Sequence, residues 1–355
     1  MGIEKAPSSS SVGIRELARS LGISAGTVSR ALNDRYGVNS RTRARVIEEA
    51  RRVGYVPNSA ARALKEQPVL TIGLFFAPFL GPNREINPAA LNFVDMLRQK
   101  AAEKLASLQT FFYSDDADLK VQIETRHIDV AILYGQFNPS AFETVESSRV
   151  PAVIMHFPTQ APNQVSVSLD MRRAAGEAVE YLAALGHERL GIVTSTHRSM
   201  HAANFEAGYL DALEEFGLPY RSEWDFELPA EKANKFGACE ALSDLLNEKD
   251  RPTAIVFAND WLALGGRLAA KNAEIRVPED LSLIGFENMP SSAEVDPPLT
   301  TFDVHVPKAA ELVIEQAIKL SEQKRNGASI KNDEILITAE LVKRQSCACL
   351  RKIGN

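Results

Sequence analysis

The stretch SLGISAGTVSRALN, residues 20–33, contains the end of one helix, a tight turn and the start of a second helix. Gly22 is typical of the position just past a helix end, and Ser24 is a favoured N-cap residue. The segment before the turn has apolar residues at helical spacing on one face: Ile14, Leu17, Ala18 and Leu21. Two short helices joined by a turn that contains glycine form a helix-turn-helix, so the stretch predicts this motif.

The residues that follow predict how this small unit is completed. A third helix is expected from a cap at Asn39 or Ser40, through RTRARVIEEARRV at residues 41–53, to Gly54. The side chains expected to form a core from the second and third helices are Val28, Ala31, Leu32, Val46, Ile47, Ala50 and Val53. Three helices in about 55 residues form a very small domain, which is marginally stable alone.

The segment YVPNSAARALKEQP, residues 55–68, predicts a short helix between two prolines. Asn58 can cap this helix, and Pro68 stops it. So short a helix is unstable alone because its nucleation is costly, and we expect it to fold only against a partner. A plain interdomain linker is the alternative, although linkers seldom carry a capped Ala-Arg-Ala-Leu block.

Charge is distributed unevenly along the 355 residues, whose formal net charge is −6. Residues 1–66 hold 12 Lys and Arg against 6 Asp and Glu, whereas the remainder holds 28 against 40. A basic head on an acidic body indicates a polyanionic partner for the head alone. A solvated charged surface would give the same counts, so the charge leaves both interpretations open.

The body, from Leu70 onward, alternates apolar strands such as LTIGLFF (70–76) and TAIVFAN (253–259) with amphipathic helices. Such strands are typical of parallel sheets covered by helices on both faces. One sheet rarely extends over roughly 280 residues, so we expect two doubly wound halves. No G-x-G-x-x-G or Walker sequence follows a strand, which argues against a nucleotide-dependent enzyme.

Several classes of protein are disfavoured by what the sequence lacks. No run of about 18 apolar residues could span a membrane, and the first residues have no apolar core of a secretory signal. The cysteines, Cys239, Cys347 and Cys349, are too few for a disulfide framework and fit a reducing cytoplasm. We therefore expect a cytoplasmic protein without membrane contact, metal or cofactor.

The head resembles the DNA-binding head of the lactose/galactose repressor (LacI/GalR) family of bacterial transcriptional regulators. The resemblance is nearly gap-free over residues 14–64 and rests on IRELARSLGISAGTVSRALN, VNSRTRARVIEEARRVGYVPN and AARAL. It implies that the second helix enters the major groove of DNA and that the short following helix pairs with its dimer mate. In this family a leucine of each short helix opens a central base step from the minor groove, and Leu64 holds that position here.

This resemblance and the predicted helix faces indicate which residues contact DNA. We expect base readout from Arg30 or Ser29, and methyl contacts with thymines from Ala25 and Thr27. Gly26 would let the helix lie close in the groove. The remaining candidates contact phosphates or belong to the short helix: Ser24, Asn33, Arg41, Thr42, Arg43, Asn58, Ala61, Arg62 and Leu64.

The body resembles the periplasmic-binding-protein-like ligand domain of the same family through ALGHERLGIV, AGYLDAL, RPTAIVFANDWLALG, VPEDLSLIGFEN and PPLTTF. The resemblance implies that ligand binds between the two halves, at the carboxyl ends of the strands. It also implies three chain crossings between the halves, near residues 168, 304 and 333.

The expected fold is an all-α helix-turn-helix head and hinge helix joined to an α/β body of two doubly wound parallel sheets. The predicted boundaries are 1–57 for the head, 58–67 for the hinge helix and 68–355 for the ligand-binding and dimerisation domain. Within the body, residues 68–167 and 305–332 are expected in the first half, and residues 168–303 and 334–346 in the second.

Candidate ligand contacts follow strands of the body or begin its helices: Asn87, Asp170, Asn204, Phe205, Asn259, Asp260 and Glu287. The resemblance implies ligand contact for Asn259. It also places Glu287 where the family often has an Asp that binds ligand hydroxyls. A carboxylate there can accept two hydroxyl protons.

Structural alternatives stay open for several of these residues. Asn87 and Asp170 could cap helices, and a capping role is more expected for Asp260 than for Asn259. Phe205 stands where the family commonly has an Arg that binds a carboxylate or sugar oxygens. Its phenyl ring could stack on a pyranose face or belong to the core, and the core is slightly favoured.

Together these features predict a homodimeric, ligand-responsive repressor of sugar uptake or catabolism genes that binds a pseudo-palindromic operator on double-stranded DNA. The alternative is a regulator of the same architecture that senses a non-sugar metabolite such as a nucleobase, or that acts as an activator. An enzyme is not expected, because the sequence lacks a nucleophile–base motif. The absent signal sequence and the basic head argue against a sugar-binding module of a transporter.

Overall fold

The structure, a computed structural model, describes residues 14–32, 38–53, 69–77, 86–195, 200–330 and 333–350. The chain divides into two compact units, Met1–Val69 and Leu70–Asn355, which correspond to the head and the body. The predicted DNA contacts that lie outside the described residues are Asn33, Asn58, Ala61, Arg62 and Leu64.

The described part of the head consists of three helices: α1 (Ile14–Leu21), α2 (Ala25–Leu32) and α3 (Ser40–Arg52). Gly22 ends α1 with a φ of 67°, and the N–H of Ile23 then donates to the carbonyl of Ala18 at 3.1 Å. Ser24 caps α2, since its Oγ accepts the N–H of Thr27 at 3.0 Å. The predicted turn and cap are therefore confirmed.

The core of the head is formed by buried side chains from all three helices: Leu17, Ala18, Val28, Ala31, Val46 and Ala50. Of the two caps considered for α3, the chain uses Asn39, whose Oδ1 accepts the N–H of Thr42 at 2.8 Å. The prediction that Ile47 belongs to the core is wrong, because this residue is 37% exposed. Successive helix residues are turned by about 100°, so the neighbour of the buried Val46 faces away from the core.

The first lobe of the body begins as a regular alternation of strands and helices. These elements are β1 (Thr71–Ala77), α4 (Pro88–Glu103), β2 (Ser107–Phe112), α5 (Asp116–Thr125), β3 (Val130–Gly135), α6 (Pro139–Ser147), β4 (Ala152–Met155) and β5 (Gln164–Leu169). The strands pair in parallel in the order β2-β1-β3-β4-β5. In β1, Ile72 and Leu74 join the core on one face, and Phe75 joins the core on the other. The sheet is therefore covered on both faces, as the apolar strands predict.

The second lobe continues the same alternation. Its elements are α7 (Met171–Ala184), β6 (Leu190–Ser195), α8 (Met200–Glu215), β7 (Asp225–Leu228), α9 (Lys235–Leu245), β8 (Ala254–Phe257), α10 (Asp260–Asn272), β9 (Ser282–Ile284) and α11 (Pro290–Glu294). Its strands are parallel, in the order β7-β6-β8-β9. The buried imidazole of His187 joins the starts of β8 and β9, at 3.0 Å from the hydroxyls of Thr253 and Ser282.

The last described elements connect the lobes: β10 (Thr301–Asp303), α12 (Val306–Arg325), β11 (Glu334–Ile337) and β12 (Glu340–Val342). β11 pairs in parallel with β5 and extends the first sheet to six strands, whereas β10 and β12 form an antiparallel pair. The chain therefore crosses between the lobes after β5, after β10 and after β11.

The prediction that residues from 334 onward belong to the second half is wrong for β11. This strand lies at the edge of the first sheet, and its side chains are alternately exposed and partly buried. Its place is decided by backbone pairing with β5, for which the local sequence carries no signal.

Candidate ligand cleft and DNA-binding helix

A cleft of about 540 Å³ lies between the two lobes of the body. Its walls include residues at which strands of both sheets end, such as Gly135 of β3, Leu169 of β5 and Ser195 of β6. Open α/β sheets bind ligands at the carboxyl ends of their strands. The cleft also lies within the usual range for small-molecule sites, roughly 300–1,000 Å³.

The structure brings three of the predicted ligand contacts, Asn87, Asn259 and Glu287, into the walls of this cleft. The other candidates are not among the described residues that line it: Asp170, Asn204, Phe205 and Asp260. Asp170 instead caps α7, since its Oδ1 accepts the N–H of Arg173 at 3.2 Å. Of the two roles considered for Asp170, the geometry therefore supports the helix cap.

At the start of α10, the capping role that was more expected for Asp260 belongs to Asn259, which also lines the cleft. Asn259 is the N-cap, and its Oδ1 accepts the N–H of Leu262 at 2.8 Å. Asp260 is fully buried and accepts hydrogen bonds from three donors: the N–H of Met289 at 2.8 Å, the Oγ of Ser292 at 2.6 Å and the Oγ1 of Thr301 at 2.5 Å. Burial raises the pKa of Asp260 to about 6, and these donors oppose the rise. Asp260 is thus a structural carboxyl.

Phe205 belongs to the core of the second lobe rather than to the cleft. It is 1% exposed and packs edge-to-face on Phe286, with ring centroids 6.3 Å apart. His201 lies one turn earlier on α8, closer to the end of β6, and lines the cleft instead. Asn204 also lies further along α8 and is not among the described residues that line the cleft. Of the two roles considered for Phe205, the geometry supports the core.

Glu287 and Asn87 meet across the cleft. The Nδ2 of Asn87 donates to both carboxyl oxygens of Glu287 at 3.2 Å. Its Oδ1 accepts the N–H of Ala89 at 3.0 Å, so Asn87 caps α4 and lines the cleft at the same time. Glu287 has a φ of 104°, in the left-handed region that favours glycine. Strained backbone of this kind is maintained mostly at functional sites.

The carboxyl of Glu287 differs electrostatically from an exposed glutamate. Burial raises its pKa to about 8, the charge of Asp260 acts in the same direction, and the hydrogen bond from Asn87 opposes both. Burial also raises the pKa of Tyr134, and the charge of Glu287 adds to that effect. At neutral pH the surroundings of Glu287 therefore favour its protonated form.

Two histidines that the sequence analysis did not single out also meet across the cleft. The rings of His156, which follows β4, and His201 of α8 have centroids 3.8 Å apart. Burial lowers the pKa of His156 to about 3, so this imidazole is neutral at pH 7. Its Nδ1 is buried without a hydrogen-bond partner among the described residues. The position of His156 directly after an apolar strand is the signal that could have identified it.

Aromatic rings form one wall of the cleft. The rings of Phe76 and Tyr134 are stacked with centroids 5.5 Å apart, and Phe93 is tilted against Tyr134 at 5.1 Å. We call these three residues the aromatic wall. Among the described residues that line the cleft there is no Lys or Arg. Such a surface suits a ring-shaped ligand and offers no cation for a phosphate or carboxylate.

The helix α2 presents several of its predicted DNA contacts to solvent. Gly26 and Arg30 are exposed, and the predicted contacts Ala25, Thr27 and Ser29 are partly buried. A Cβ atom at Gly26 would find its nearest neighbour, the Oγ of Ser24, at 3.7 Å, which is an ordinary contact distance. The packing of the head therefore does not require glycine at this position.

The start of α3 carries the predicted phosphate contacts Thr42 and Arg43, both partly buried. The N–H of Thr42 is already donated to Asn39, so its hydroxyl is the group left for DNA. Contact with DNA stays a prediction for these residues and for those of α2.

Two family models match the chain, "Bacterial regulatory proteins, lacI family" at residues 13–58 and "Periplasmic binding protein-like domain" at residues 179–347. The transcriptional repressor CytR of Escherichia coli K12 is 30% identical over 353 residues, covering 95% of this chain and 96% of that protein. Catabolite control protein A of Priestia megaterium is 30% identical over 302 residues, covering 82% and 86%. The chain belongs to the lacI family of bacterial regulatory proteins.

Solved structures of lacI-family proteins have the same fold. The Lac repressor dimer bound to operator and the anti-inducer ONPF has a TM-score of 0.78 at 24% identity, covering 96% of this chain and 100% of that chain. The complex of the transcriptional regulator CelR with cellobiose has a TM-score of 0.66 at 20% identity, covering 94% and 99%. The predicted helix-turn-helix head and the α/β body with parallel sheets are therefore confirmed.

This lacI-family chain is a transcriptional repressor with a ligand-binding domain, and its relatives are regulators rather than enzymes. No helix within the described ranges is both long and apolar enough to cross a bilayer. The same ranges contain no group of three or more His, Cys, Asp or Glu side chains that could hold a metal ion.

Proposed function

We propose that the chain is a homodimeric, ligand-responsive repressor that binds a pseudo-palindromic operator and a sugar or sugar derivative. The observation that carries the proposal is the cleft between the carboxyl ends of two parallel sheets, lined by Asn87, Asn259, Glu287 and the aromatic wall. Ligand bound there contacts both lobes at once, so it changes their relative position. A change of this kind is how a hinge motion transmits binding to a distant element.

The DNA side of the proposal rests on the exposed face of α2. Arg30 or Ser29 would read base edges, and the methyl groups of Ala25 and Thr27 would contact thymines. A Cβ at Gly26 would make only an ordinary contact within the head, so the absence of a side chain there would serve close approach of the helix to the groove. Lys and Arg of the basic head would bind phosphates, which makes the affinity depend on salt.

The hinge segment, residues 58–67, links the two sites in this proposal. As a short helix it would be stable only when paired with its dimer mate on DNA, with Leu64 opening the central base step. Ligand that changes the separation of the two copies would alter the order of this helix and hence the affinity for DNA.

A sugar is favoured because the cleft combines flat aromatic faces with uncharged amide groups. Asn87, Asn259 and Gln136 can donate to or accept from hydroxyls, and Tyr134 offers a ring for stacking on a pyranose. The CelR–cellobiose complex is a structural neighbour with a sugar-type ligand.

A nucleobase effector is the second candidate. The stacked pair of Phe76 and Tyr134 would serve a planar base as well as a sugar ring. Relatives named PurR and CytR accompany the sugar regulators among the similar proteins.

The test is binding of the full chain to DNA from upstream of its own gene, measured by fluorescence anisotropy. We expect specific binding that falls about 10³-fold between roughly 50 and 200 mM salt. Addition of the effector from a panel of sugars and nucleosides should change this affinity. Binding to that DNA without salt dependence or without discrimination from random DNA would remove the proposed function.

The hinge argument has its own variant, Leu64→Ala. Loss of the wedging side chain should weaken operator binding by about tenfold or more, while effector binding measured by calorimetry stays unchanged. Equal loss of operator and effector affinity would contradict the role assigned to the hinge.

A further inference from the structure

Glu287 is the one acidic side chain among the described residues that line the cleft, and none of those residues is Lys or Arg. The other polar groups of the described walls are amides, hydroxyls and imidazoles, such as those of Gln136, Ser195 and His156. A carboxylate in a largely apolar cavity is unfavourable unless a positive charge pairs with it. The described walls of the cleft provide no such charge.

The described groups packed around Glu287 do not supply a positive charge to pair with its carboxylate either. Asn87 contributes a single neutral amide, which donates to both carboxyl oxygens at 3.2 Å. Asp260 contributes a second negative charge from the adjacent strand end. The guanidinium of Arg344 donates to the Oδ1 of Asn288, and its charge acts on Asp260 rather than on Glu287. Among the described residues, the surroundings of Glu287 thus favour a positive partner but do not provide one.

The aromatic wall lies beside this carboxyl. Tyr134 is close enough to Glu287 for the carboxylate charge to raise the pKa of its phenol. Phe76 and Phe93 flank Tyr134, with ring centroids at 5.5 and 5.1 Å from it. The faces of aromatic rings attract cations that lie within about 6 Å of the ring centroid. A carboxyl next to several aromatic rings therefore forms a suitable environment for an ammonium group.

We propose that the effector carries a protonated amine, which Glu287 binds as an ion pair beside the aromatic wall. The ammonium group would displace the amide of Asn87 from the carboxyl and provide the positive charge that the described walls of the cleft lack. This inference rests on the proposed function and adds the charge of the effector to it. An amino sugar is the ligand that satisfies both this charge and the amide groups that line the cleft. The competing assignment is an uncharged hydroxyl that hydrogen-bonds to Glu287.

The test uses the full chain and matched pairs of compounds that differ in charge. D-glucosamine is compared with D-glucose, and D-galactosamine with D-galactose, by titration calorimetry at about pH 7. We expect the amine of at least one pair to bind about tenfold or more tightly than its hexose. Equal affinities within each pair, tighter binding of the hexoses, or no binding of either amine up to about 100 mM would overturn the proposal.

Two variants identify the group responsible. Glu287→Gln keeps the size and hydrogen bonding of the side chain but removes its charge, so the preference for the amine should fall to about onefold. Asn87→Asp keeps the oxygen that caps α4 and adds a second carboxyl, so the preference should rise by about tenfold. Gln136→Ala changes a neutral group of the same cleft and should change both members of a pair by the same factor.

An unchanged preference in Glu287→Gln would overturn the assignment. If that variant does not fold, Asn87→Asp decides, because a preference that fails to rise contradicts an electrostatic origin.

A proton released on binding provides an independent readout. The raised pKa of Glu287, about 8, favours its protonated form at neutral pH, and a bound ammonium group would displace that proton. Calorimetry in two buffers of different ionisation enthalpy should give close to one released proton per bound amine, and almost none in Glu287→Gln. The amine affinity should rise up to about tenfold between about pH 6 and about pH 7. Binding without proton release would contradict the ion pair.

The other titratable groups near Glu287 do not mimic this signal. The pKa of Tyr134 is raised and that of His156 is lowered to about 3, so both stay neutral throughout this range. The pKa of Asp260 is raised to about 6. Because Glu287→Gln retains Asp260, this variant is an internal control for any proton that Asp260 releases. His201 also faces the cleft and is present in both proteins.

Failure of this proposal is distinguishable from failure of the proposed function. Operator binding that responds to a neutral hexose but not to a hexosamine would remove the amine and keep the ligand-responsive repressor. Absence of specific operator binding under every condition would remove the repressor itself.

Discussion

Asp260 and Glu287 lie at the carboxyl ends of neighbouring parallel strands, yet the protein uses the two carboxyls in opposite ways. Asp260 is fully buried, and three donors of its own lobe bond to it. Glu287 lines the cleft, and its one described donor, Asn87, comes from the other lobe. A carboxyl that its own lobe satisfies stabilises the fold, whereas one that its lobe leaves unsatisfied is available to a ligand.

The same contrast recurs in two helices. On α8, Phe205 is packed into the core while His201, one turn earlier, lines the cleft. In the head, Gly22 has a φ of 67° that the turn requires, while a Cβ at position 26 would make only an ordinary contact, so packing does not require Gly26. In each pair, the fold accounts for one residue and leaves the other to be explained by a partner molecule.

The largest effect is expected on α8. Phe205→Ala should lower the free energy of unfolding by about 3–5 kcal/mol, because it removes a buried ring and leaves a cavity. His201→Ala should cost about 1 kcal/mol or less, since this side chain faces the cleft. Urea denaturation of the full chain checks both values. Losses of equal size would break the distinction between core and cleft.

The two carboxyls should differ next. Asp260→Asn should lower the free energy of unfolding by about 2–4 kcal/mol, because an amide nitrogen replaces an acceptor that buried donors need. Glu287→Gln should change it by less than about 1 kcal/mol, since the amide can still accept from Asn87. The same denaturation experiment measures both. A larger loss in Glu287→Gln than in Asp260→Asn would show that the roles are exchanged.

The pH dependence of stability should further distinguish Glu287 from Asp260. Because the pKa of Glu287 is raised from 4.5 to about 8, the folded state holds a proton that the unfolded chain releases. The contribution of Glu287 to the free energy of unfolding is fully present below about pH 4.5 and is lost as the pH rises through about 8. The total loss should be roughly 1–3 kcal/mol. Asp260 follows the same direction, but only up to about pH 6.

Unfolding free energies of the wild type and Glu287→Gln, measured from about pH 6 to about pH 8.5, test this assignment. Across this interval the free energy of unfolding of the wild type should fall relative to that of Glu287→Gln. Asp260→Asn, which retains Glu287, should show the same fall as the wild type. Parallel curves for wild type and Glu287→Gln would contradict the raised pKa.

The smallest expected changes in stability are in the head. Gly22→Ala should cost about 1–2 kcal/mol, because a Cβ is unfavourable at this positive φ. Gly26→Ala should instead stabilise α2 by roughly 1 kcal/mol, and yet weaken operator binding by keeping the helix further from the groove. Thermal unfolding and operator anisotropy measure the two effects. Unchanged operator affinity in Gly26→Ala would remove the argument for close approach.

Features that depend on near neighbours could be predicted from the sequence. Gly22, Ser24 and Asn39 act through hydrogen bonds within one helical turn, so their residue types and spacing carry the information. Asn259 and Glu287 could be placed at the cleft because each closely follows an apolar strand. Their exact roles could not be read in the same way.

The wrong predictions concern which way a side chain faces or where a strand pairs. Ile47 and Phe205 are both apolar helix residues. The first is exposed against the prediction, and the second is buried, which was the favoured of its two alternatives. Which residue of a helix reaches a core or a cleft depends on the elements packed against it. The place of β11 depends on β5, from which it is separated by the whole second lobe.

By itself, the sequence determined the order of the elements, the basic head, the alternation that requires two covered parallel sheets, and the polar residues at strand ends. These follow from local spacing and composition. Only the tertiary structure decided that Asp260 is structural and that His156 meets His201. It also decided that Asn87 reaches Glu287, 200 residues away. Each of these contacts joins separate elements, and the contacts of His156 with His201 and of Asn87 with Glu287 join opposite lobes. Only the folded crossings of the chain bring such residues within contact distance.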